Sequence, residues 1–389
     1  MLRFLIKVVN RIERELAWIH HYYQSHGIRS LRDVYLCLKG FSPTNYSSYD
    51  TDTYPLDDFI TDKTRFFGLP RVHDGYMFLL KDKFIFRSVL EKSGFGPNLP
   101  RFHKHLTLNE LRKIESTTEP ACLVSSLVSS GDGAVGDHGT NGSLVHAGTQ
   151  YEHPPSLDES HEVDLLDASD LEEGVYILKP SLGSSGDGII EVRCANGSLS
   201  IADADWEYLQ SKKEKYDTFM LEEKVRNAEY SAGIFDGSLN TIRLMTAWDY
   251  KEGTPFVAGA AHRFGTQQSA PTDNAGRGGI FCPIDLNSGT LGPAIEDGNR
   301  TPFYAHPDTD ATIEGTTVRK WAELKDFILE AAAALHWCPL IGWDVVIDAT
   351  DRFVIIEGNP TPGVGLVQAD VPLLAHPDMR RFMEHHSLA

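Results

Sequence analysis

Positive charge is scarce in this chain of 389 residues. The chain carries 36 lysines and arginines against 55 aspartates and glutamates, a formal net charge of −19. Because nucleic acids and anionic lipids are bound through clustered basic residues, this balance argues against both as general partners. The acidic residues are spread along the chain, and this is also the pattern that solubility alone would produce.

Cysteines and long apolar runs are also scarce. The five cysteines are scattered and odd in number, and no CxxC pair occurs among Cys37, Cys122, Cys194, Cys282 and Cys338. This usage favours reduced thiols in a cytosol-like compartment. No segment reaches the roughly 18 consecutive apolar residues that a membrane-spanning helix needs. We therefore expect a soluble, cytoplasmic protein.

The common signatures of covalent and zinc-dependent catalysis are missing as well. There is no GxSxG and no Cys–His signature, and the 16 histidines include no HExxH or other zinc spacing. Neither a side-chain nucleophile nor a histidine metal site is therefore expected. If the chain is an enzyme, its chemistry must rest on positioning and on charge.

The most informative segment that is present lies near the end of the chain, at 341–363, with the sequence IGWDVVIDATDRFVIIEGNPTPG. Its apolar runs VVID and FVIIE flank a short polar loop at 349–352. This pattern is typical of a β-hairpin. The interpretation pairs Ile347 with Val354 across the two strands.

That hairpin would bring three oxygen-bearing side chains together. Asp344 falls opposite Glu357, and Asn359 follows Glu357 by two, so that all three point to one face. Carboxylate and amide oxygens are ligands that Mg²⁺ accepts. We therefore predict a magnesium site formed by these residues. The alternative is an ordinary edge hairpin with solvated acids.

A second informative segment is 175–194, with the sequence VYILKPSLGSSGDGIIEVRC. An apolar strand ends in Lys179 and Pro180, a loop of small residues follows, and IIEV resumes as a strand. Glycines let a backbone approach a phosphate, and loop N–H groups can donate to its oxygens. Walker and dinucleotide loops need a helix next, so this loop is of another kind. A mobile surface turn is the alternative.

Further elements follow in a recognisable order. They are the strand FMLEEKV at 219–225, the NTIR motif at 240–243, His262 and Arg263 at the end of an apolar run, and GGIFCPIDL at 278–286. With the glycine loop and the hairpin, these elements resemble the ATP-grasp superfamily of ADP-forming carboxylate ligases. The details look most similar to its sugar-transfer-associated, or α-L-glutamate-ligase-related, branch. The resemblance covers roughly 76–378.

The resemblance implies an α+β fold in which two α+β lobes clamp ATP. It implies phosphate contacts from Lys83 and Lys179 and a lid over the phosphates at 183–188. It also implies adenine recognition by the backbone at 223–225, ribose binding by Glu229, and magnesium binding by the Asp–Glu–Asn set. The implied nucleotide-binding residues are Lys83, Lys179, Gly183, Ser184, Ser185, Gly186, Gly188, Glu223, Lys224, Val225 and Glu229.

The implied catalytic cations are Arg243, Arg263 and Lys179, and they differ from the pattern of the familiar ligases. Those ligases carry an arginine two residues before the first magnesium aspartate, where this chain has Gly342. The resemblance therefore leaves two alternatives. Either Arg243, Arg263 or Arg277 replaces the missing arginine, or the chemistry is altered.

The chain is expected to divide into three parts. We predict a helical N-terminal region at 1–75, a pre-lobe at 76–170 with a flexible insertion at about 125–163, and an ATP-grasp domain at 171–389. The first helix is basic and amphipathic; it packs against its own domain or lies on a membrane. WAELKDFILEAAAALH, at 321–336, is predicted to be a helix that leads into the hairpin.

The function that the resemblance implies is Mg·ATP-dependent ligation of a carboxylic acid to an amine through an acylphosphate. The branch suggests work on cell-surface polysaccharide or an amino-acid conjugate, with small-molecule substrates that a sugar could carry. Two alternatives stay open. One is an ATP-grasp kinase acting on a sugar or small acid, and the other is a nucleotide-binding scaffold without turnover.

Overall fold

The protein is described from a computed structural model, which covers residues 2–111, 115–117, 168, 170–183 and 186–388; side chains at 2–11, 109 and 115–117 are left out of the description. The predicted insertion at 125–163 lies outside the described residues, as do Ser184 and Ser185 of the glycine loop. No helix within the described ranges combines the length and the apolar character needed to cross a membrane.

Helices make up the first part of the chain, and strands and helices are mixed from β1 onward. The helices are α1 (Leu2–His26), α2 (Leu31–Lys39), α3 (Pro43–Ser48), α4 (Asp62–Phe67), α5 (Phe78–Lys81), α6 (Lys83–Leu90), α7 (Leu108–Leu111), α8 (Asp203–Ser211), α9 (Glu229–Ala232), α10 (Trp321–Ala334), α11 (Val364–Val367) and α12 (Pro377–His385). The strands are β1 (Phe102–Thr107), β2 (Glu115–Thr117), β3 (Gly174–Pro180), β4 (Ile190–Ala195), β5 (Ser198–Ala202), β6 (Thr218–Glu223), β7 (Ile242–Asp249), β8 (Thr254–Phe264), β9 (Ile280–Pro283), β10 (Ala294–Glu296), β11 (Asn299–Phe303), β12 (Leu340–Ile347) and β13 (Phe353–Asn359).

The smaller sheet has the strand order β1-β6-β3-β4-β5-β2. Its central hairpin, β3–β4, is antiparallel and carries the glycine loop, as the sequence predicts. Leu178, Val192 and Leu221 are fully buried in the core beneath this sheet. The alternation of apolar and polar residues along β4 and β5 therefore anchors the loop to a rigid base.

The larger sheet has the strand order β11-β10-β9-β8-β7-β12-β13 and is antiparallel throughout. Strand β12 is buried along its whole length, which explains its nearly continuous apolar sequence. Helix α10 buries Leu324, Ile328 and Ala331 against this sheet. Their helical spacing confirms the predicted helix before the hairpin, although the helix ends at Ala334 rather than His336.

The N-terminal region is helical, and its helices have a core of their own. Trp18 and Tyr22 of α1 are buried with Leu36 of α2 and with Phe59. Ser30 caps α2 at its start, and Gly40, at φ 85°, ends it in a left-handed conformation. Helix α1 thus packs against its own region through one face, which is one of the two expected arrangements.

Candidate active site

The predicted hairpin is formed by β12 and β13, and Asp344 lies opposite Glu357 as expected. The expected pairing of Ile347 with Val354 is wrong, because Ile347 pairs with Phe353. A β-bulge between Asp344 and Val345 accommodates one extra residue of β13 and restores the predicted register at the carboxylates. The bulge therefore aligns the two acids at the end of the hairpin.

The three predicted metal ligands lie together. Asn359 donates from Nδ2 to Glu357 Oε1 at 3.2 Å, so the amide and the carboxylate share a face. Asp344 is buried, with only 3% of its surface exposed, whereas Glu357 is partly exposed toward the cleft. Within the described ranges, no cluster of three or more His, Cys, Asp or Glu side chains could hold a metal ion. The candidate site consists of two carboxylates and an amide, a set of oxygen donors that fits Mg²⁺.

Two arginines neutralise the buried carboxylate of Asp344. Arg243 donates from Nε to Oδ1 at 2.5 Å and from Nη2 to Oδ2 at 3.0 Å, a bidentate contact. The Nη2 atom of Arg263 lies 3.0 Å from the same Oδ2 atom. Burial alone would raise the pKa of Asp344, but the charges of Arg243 and Arg263 outweigh it and hold that pKa below its ordinary value.

Arg263 is held in place by more than Asp344. Its Nε donates to Thr241 Oγ1 at 2.8 Å, and the Thr241 hydroxyl in turn donates to Asp273 at 2.5 Å. Asp273 also accepts the backbone N–H of Thr241 at 2.8 Å. Burial would lower the pKa of Arg263, but Asp273 and Asp344 raise it above its usual value. The guanidinium is thus a fixed, permanent cation.

Gly342 stands where the familiar ligases carry an arginine, and the structure gives a physical reason for the glycine. A Cβ at this position would lie 2.4 Å from Pro362 Cβ and 3.6 Å from Arg243 Cδ. A larger residue would therefore displace the backbone of the following loop or the Arg243 side chain. Arg243, from the neighbouring strand β7, fills the space beside Gly342 with its own cationic side chain.

The two predicted nucleotide lysines lie beside the glycine loop in the same cleft. Lys179 is buried at the end of β3 and pairs with Glu222 Oε2 at 2.6 Å. Lys83 begins α6, donates to the carbonyl of Gly183 at 2.6 Å and lies 3.9 Å from Glu357 Oε2. Burial lowers the pKa of Lys83, and the nearby charge of Lys179 acts in the same direction. A polyanion in the cleft would offset this repulsion between the two ammonium groups.

The glycine loop is anchored at both of its ends. The ring of Tyr216 lies 3.2 Å from a Cβ built at Gly183 and 3.1 Å from one built at Gly188, so both positions exclude a side chain. Tyr216 also donates its hydroxyl to Asp187 at 2.9 Å, and Lys215 contacts the same carboxylate at 2.7 Å. The described ends of the loop are therefore held by Tyr216 and Asp187.

The segment predicted to recognise adenine follows β6. The residues at 223–225 line the cleft, and Glu223 pairs with Arg352 Nη2 at 2.8 Å. Glu229, the expected ribose ligand, is exposed at the start of α9. Among the described residues of the predicted site, Glu229 and Gly188 do not border the cleft, whereas the remainder do. The ribose assignment stays a prediction without support from this geometry.

The cleft between the two sheets has a volume of about 2310 Å³. Pockets for drug-sized ligands occupy roughly 300–1,000 Å³. The cleft therefore has room for a nucleotide and for further substrates beside it. The predicted cations and metal ligands converge on it from both sheets and from α6: Lys83, Lys179, Arg243, Arg263, Asp344, Glu357 and Asn359.

Several residues of this site could not be predicted from the sequence. Glu222 and Asp273 hold Lys179 and Arg263, but single acids near strand ends carry no motif. Asp187 lies in a Gly-Asp-Gly run, a signal that could have marked it as the anchor of the loop. Asn45 and Arg65 line the cleft from the helical N-terminal region, where no local pattern points to a site.

The two antiparallel-rich sheets, the glycine hairpin and the acidic hairpin across one cleft define an ATP-grasp protein. More narrowly, residues 145–373, over half of the chain, match the sugar-transfer associated ATP-grasp family, and the chain belongs to it. The predicted family and the predicted α+β, ATP-grasp fold are thereby confirmed. A search of the curated proteins gave no match.

Solved structures of three enzymes are similar to this chain at low sequence identity. The D-alanine–D-alanine ligase from Coxiella burnetii is 10% identical, with a TM-score of 0.36, 79% of this chain covered and 59% of that chain. The VanG D-Ala:D-Ser ligase from Enterococcus faecalis is 8% identical, with a TM-score of 0.38 and coverages of 79% and 61%. A biotin carboxylase from Campylobacter jejuni is 13% identical, with a TM-score of 0.36 and coverages of 74% and 41%. The chain thus spans about two fifths to three fifths of the length of each.

Proposed function

We propose that the protein is an ADP-forming ligase that joins a carboxylic acid to an amine at the expense of ATP. One observation supports this above all. Two lysines, two arginines and the Asp–Glu–Asn set, contributed by both sheets and by α6, converge on a single cleft. This combination suits a polyphosphate on one side and a reacting anion on the other.

The lysines and the glycine loop are proposed to bind the phosphates of ATP. The ammonium groups of Lys83 and Lys179 face the cleft at the base of the loop, which is where phosphate oxygens would need partners. The backbone at 223–225 is proposed to bind the adenine by hydrogen bonds from its N–H groups and to its C=O groups. The loop tip would then cover the phosphates and exclude water from the reaction.

Asp344, Glu357 and Asn359 are proposed to hold magnesium, and their oxygen donors fit that ion. When bound, magnesium neutralises phosphate charge and acts as a Lewis acid. In the structure, Arg243 and Arg263 supply the positive charge that offsets the buried carboxylate of Asp344. Oδ2 of Asp344 accepts two of these contacts and Oδ1 accepts one, so Oδ1 is the oxygen that is proposed to face the ion.

The proposed reaction proceeds in two balanced steps. A carboxylate oxygen of the acid forms a bond to the γ-phosphorus of ATP, the bond from that phosphorus to ADP breaks, and an acylphosphate and ADP result. The amine nitrogen then bonds to the acyl carbon, inorganic phosphate leaves, and the amine gives up a proton. Arg243 and Arg263 would stabilise the negative charge that develops on the phosphoryl group and on the tetrahedral oxygen.

Arg243 is proposed to replace the cation that Gly342 lacks. Its side chain passes beside Gly342, so a cation stands near the same point of the hairpin although it comes from another strand. This observation favours an active ligase over a scaffold without turnover. The description of the family associates it with sugar transfer, and we propose that one substrate carries a sugar or an amino-acid group. A supply of ATP and Mg²⁺ is consistent with a cytoplasmic reaction.

A trapping assay tests the proposal without knowledge of the natural amine. The protein would be incubated with MgATP, hydroxylamine and a panel of carboxylic acids that includes uronic acids and amino acids. An acylphosphate reacts with hydroxylamine to give a hydroxamate, so we expect ADP, phosphate and hydroxamate in equal amounts for at least one acid. ADP with a stable phosphorylated product would favour the kinase, and the absence of ADP with every acid would favour the scaffold.

A further inference from the structure

The helical N-terminal region reaches into the cleft beside the acidic hairpin. Asn45 of α3 and Arg65 of α4 line the cleft together with 359–361 and 363, just beyond the hairpin. Both residues lie outside the segment that matches the family, 145–373. The end of the cleft that they form is therefore a feature of this chain that the family match does not account for.

Arg65 is placed as a ligand-binding group and has no carboxylate partner. Its Nε donates to the carbonyl of Pro362 at 3.1 Å, and its guanidinium lies 4.8 Å from the ring of Phe66. Among the residues that the structure describes, no carboxylate oxygen lies within 4.0 Å of Arg65. Arg243 and Arg263, in contrast, share Asp344.

The surroundings of Arg65 make an unpaired charge unfavourable in the absence of a ligand. Arg65 is partly buried, and both burial and the nearby charge of Arg243 lower its pKa, although the charges of Asp62 and Asp297 oppose them. Asp62 itself accepts the backbone N–H of Ser42 at 2.6 Å and the side-chain amide of Asn45. Its carboxylate is therefore already engaged, and the remaining donors of Arg65 are available to an anion from the cleft.

Arg65 lies at the acceptor end of the cleft rather than the adenine end. Pro362, which accepts its hydrogen bond, also lies against Gly342, beside the side chain of Arg243. The segment that follows the hairpin packs closely against the N-terminal region. At Gly365 of α11 the approach is so close that an added Cβ would lie 2.5 Å from Asn45 Oδ1. The loop and Arg65 are thus held in one fixed relation to the reacting groups.

We propose that Arg65 forms an anion-binding subsite for the acid or amine substrate, so that the enzyme selects a substrate with a carboxylate or phosphate group besides the reacting one. This inference rests on the proposed ligase function for its meaning, but the binding of an anion can be measured independently. The planar guanidinium suits bidentate contact with either oxyanion. Asp297 lines the same cleft and would favour an amine or hydroxyl group on the same molecule.

The test is calorimetric titration of two probes, glutarate and glycerol 3-phosphate, into the full chain with and without saturating MgADP. Wild-type protein should bind at least one probe, and the preferred probe identifies the oxyanion. Arg65→Gln should weaken that binding by about tenfold or more, because a charge-assisted bidentate contact is lost. Arg65→Lys keeps the positive charge but loses the planar guanidinium that makes bidentate contacts, so it should retain part of the affinity.

The matched control is Arg71→Gln, since Arg71 is an exposed arginine of the same region. It should bind the probe as the wild type does, and ATP affinity should stay unchanged in both variants. Binding of neither probe by the wild type, or equal binding by Arg65→Gln, would overturn the subsite. Failure to bind MgADP would instead count against the ligase, while the probe titrations without nucleotide would still decide the subsite.

With any acid that gives a hydroxamate, a second readout separates binding from structure. Arg65→Gln should raise KM for that acid by about tenfold and leave kcat within a few-fold. A loss confined to kcat would show that Arg65 acts on the architecture of the hairpin loop and would overturn the proposed subsite.

Discussion

The two sheets present their cations to the cleft in different ways. Of the two lysines beside the glycine loop, Lys179 of β3 pairs with Glu222, and Lys83 of α6 contacts the loop at Gly183. On the larger sheet, Arg243 and Arg263 converge on one carboxylate, Asp344. The lysines therefore have separate contacts although their charges repel, whereas the arginines and Asp344 form a single coupled unit. We therefore expect the lysines to contribute mainly to nucleotide binding and the arginines mainly to the chemical step.

Residue type agrees with this division. An ammonium group is a compact charge on a flexible stem, which suits phosphates that enter and leave under a loop. A guanidinium is planar and always charged, which suits a fixed point where negative charge develops. Changes on the side of the larger sheet should thus lower turnover, and changes on the side of the smaller sheet should weaken nucleotide binding.

The largest effect is expected at the hairpin. Glu357→Gln removes one carboxylate that is partly exposed to the cleft and leaves Asp344 with both arginines, so folding should be retained. Turnover at ordinary magnesium should fall by about 10²–10³-fold or more, as for removal of a group that stabilises the transition state. The rate of ADP release measures this, with Glu330→Gln on the exposed face of α10 as the control. Wild-type activity in Glu357→Gln would remove this residue from the site.

The arginines come next. Arg243→Ala and Arg263→Ala should each lower turnover by about 10²-fold and change ATP affinity less, because the charge that they meet develops during the reaction. Since both contact Asp344, the double variant should lose less than the product of the two single losses. Steady-state rates and ATP titrations of the three variants decide this. Near-normal turnover in both single variants would favour a scaffold or a role for Arg277.

A smaller effect, on binding, is expected across the cleft. Lys179→Ala should weaken ATP binding by about tenfold and leave adenosine binding unchanged, since only the phosphates lose a partner. Glu222 keeps a contact with Arg87 Nη1 at 3.4 Å, so the variant is not left with an isolated buried carboxylate. Calorimetry with ATP and adenosine makes the comparison. Equal losses for both ligands would assign Lys179 a structural role.

The last prediction concerns stability rather than binding or turnover, at a histidine beside Arg263. His262 is fully buried and accepts or donates a 3.0 Å bond with the Tyr230 hydroxyl, and burial lowers its pKa to about 3. The unfolded chain binds a proton at this residue near pH 6.5, whereas the folded protein does not until about pH 3. The stability that neutral His262 contributes is therefore full above about pH 6.5 and lost as the pH falls toward 3.

Urea unfolding between pH 7.5 and 4.5 measures this contribution. The free energy of unfolding of the wild type should include a decrease of about 1.4 kcal/mol per pH unit below pH 6.5 from this group alone. His262→Gln should be less stable at pH 7.5 and should lack that part of the slope. His336→Gln, at an exposed histidine, should keep the wild-type slope. Parallel curves for His262→Gln and the wild type would contradict the assignment.

The same two sheets show which parts of the structure can be predicted from the sequence. Elements that depend on local pattern are predictable: the glycine hairpin, helix α10 and the opposition of Asp344 and Glu357 all follow from periodicity or motif. The bulge in β13 is not predictable, because one extra residue leaves the alternation at either end intact. The predicted register was therefore right at the carboxylates and wrong at Ile347.

Partners across long separations are the other part that sequence reasoning misses. Asp273 and Thr241 are 32 residues apart and join only because β7 and the loop after β8 meet. Arg65 and Pro362 are 297 residues apart, and no local signal at 62–67 predicts that α4 reaches the cleft. Such contacts are properties of the packed chain. The domain boundaries predicted at 75 and 170 remain predictions.

The most direct test of the account is the magnesium dependence of ATP binding. The cleft is proposed to bind ATP between the two lysines and the Asp–Glu–Asn set, so both sides must contribute. Titration of ATP into the wild-type protein should show tighter binding with Mg²⁺ than with chelator, and Glu357→Gln should abolish most of that difference while Lys179→Ala retains it. No ATP binding, or the same magnesium dependence in Glu357→Gln as in the wild type, would contradict the account.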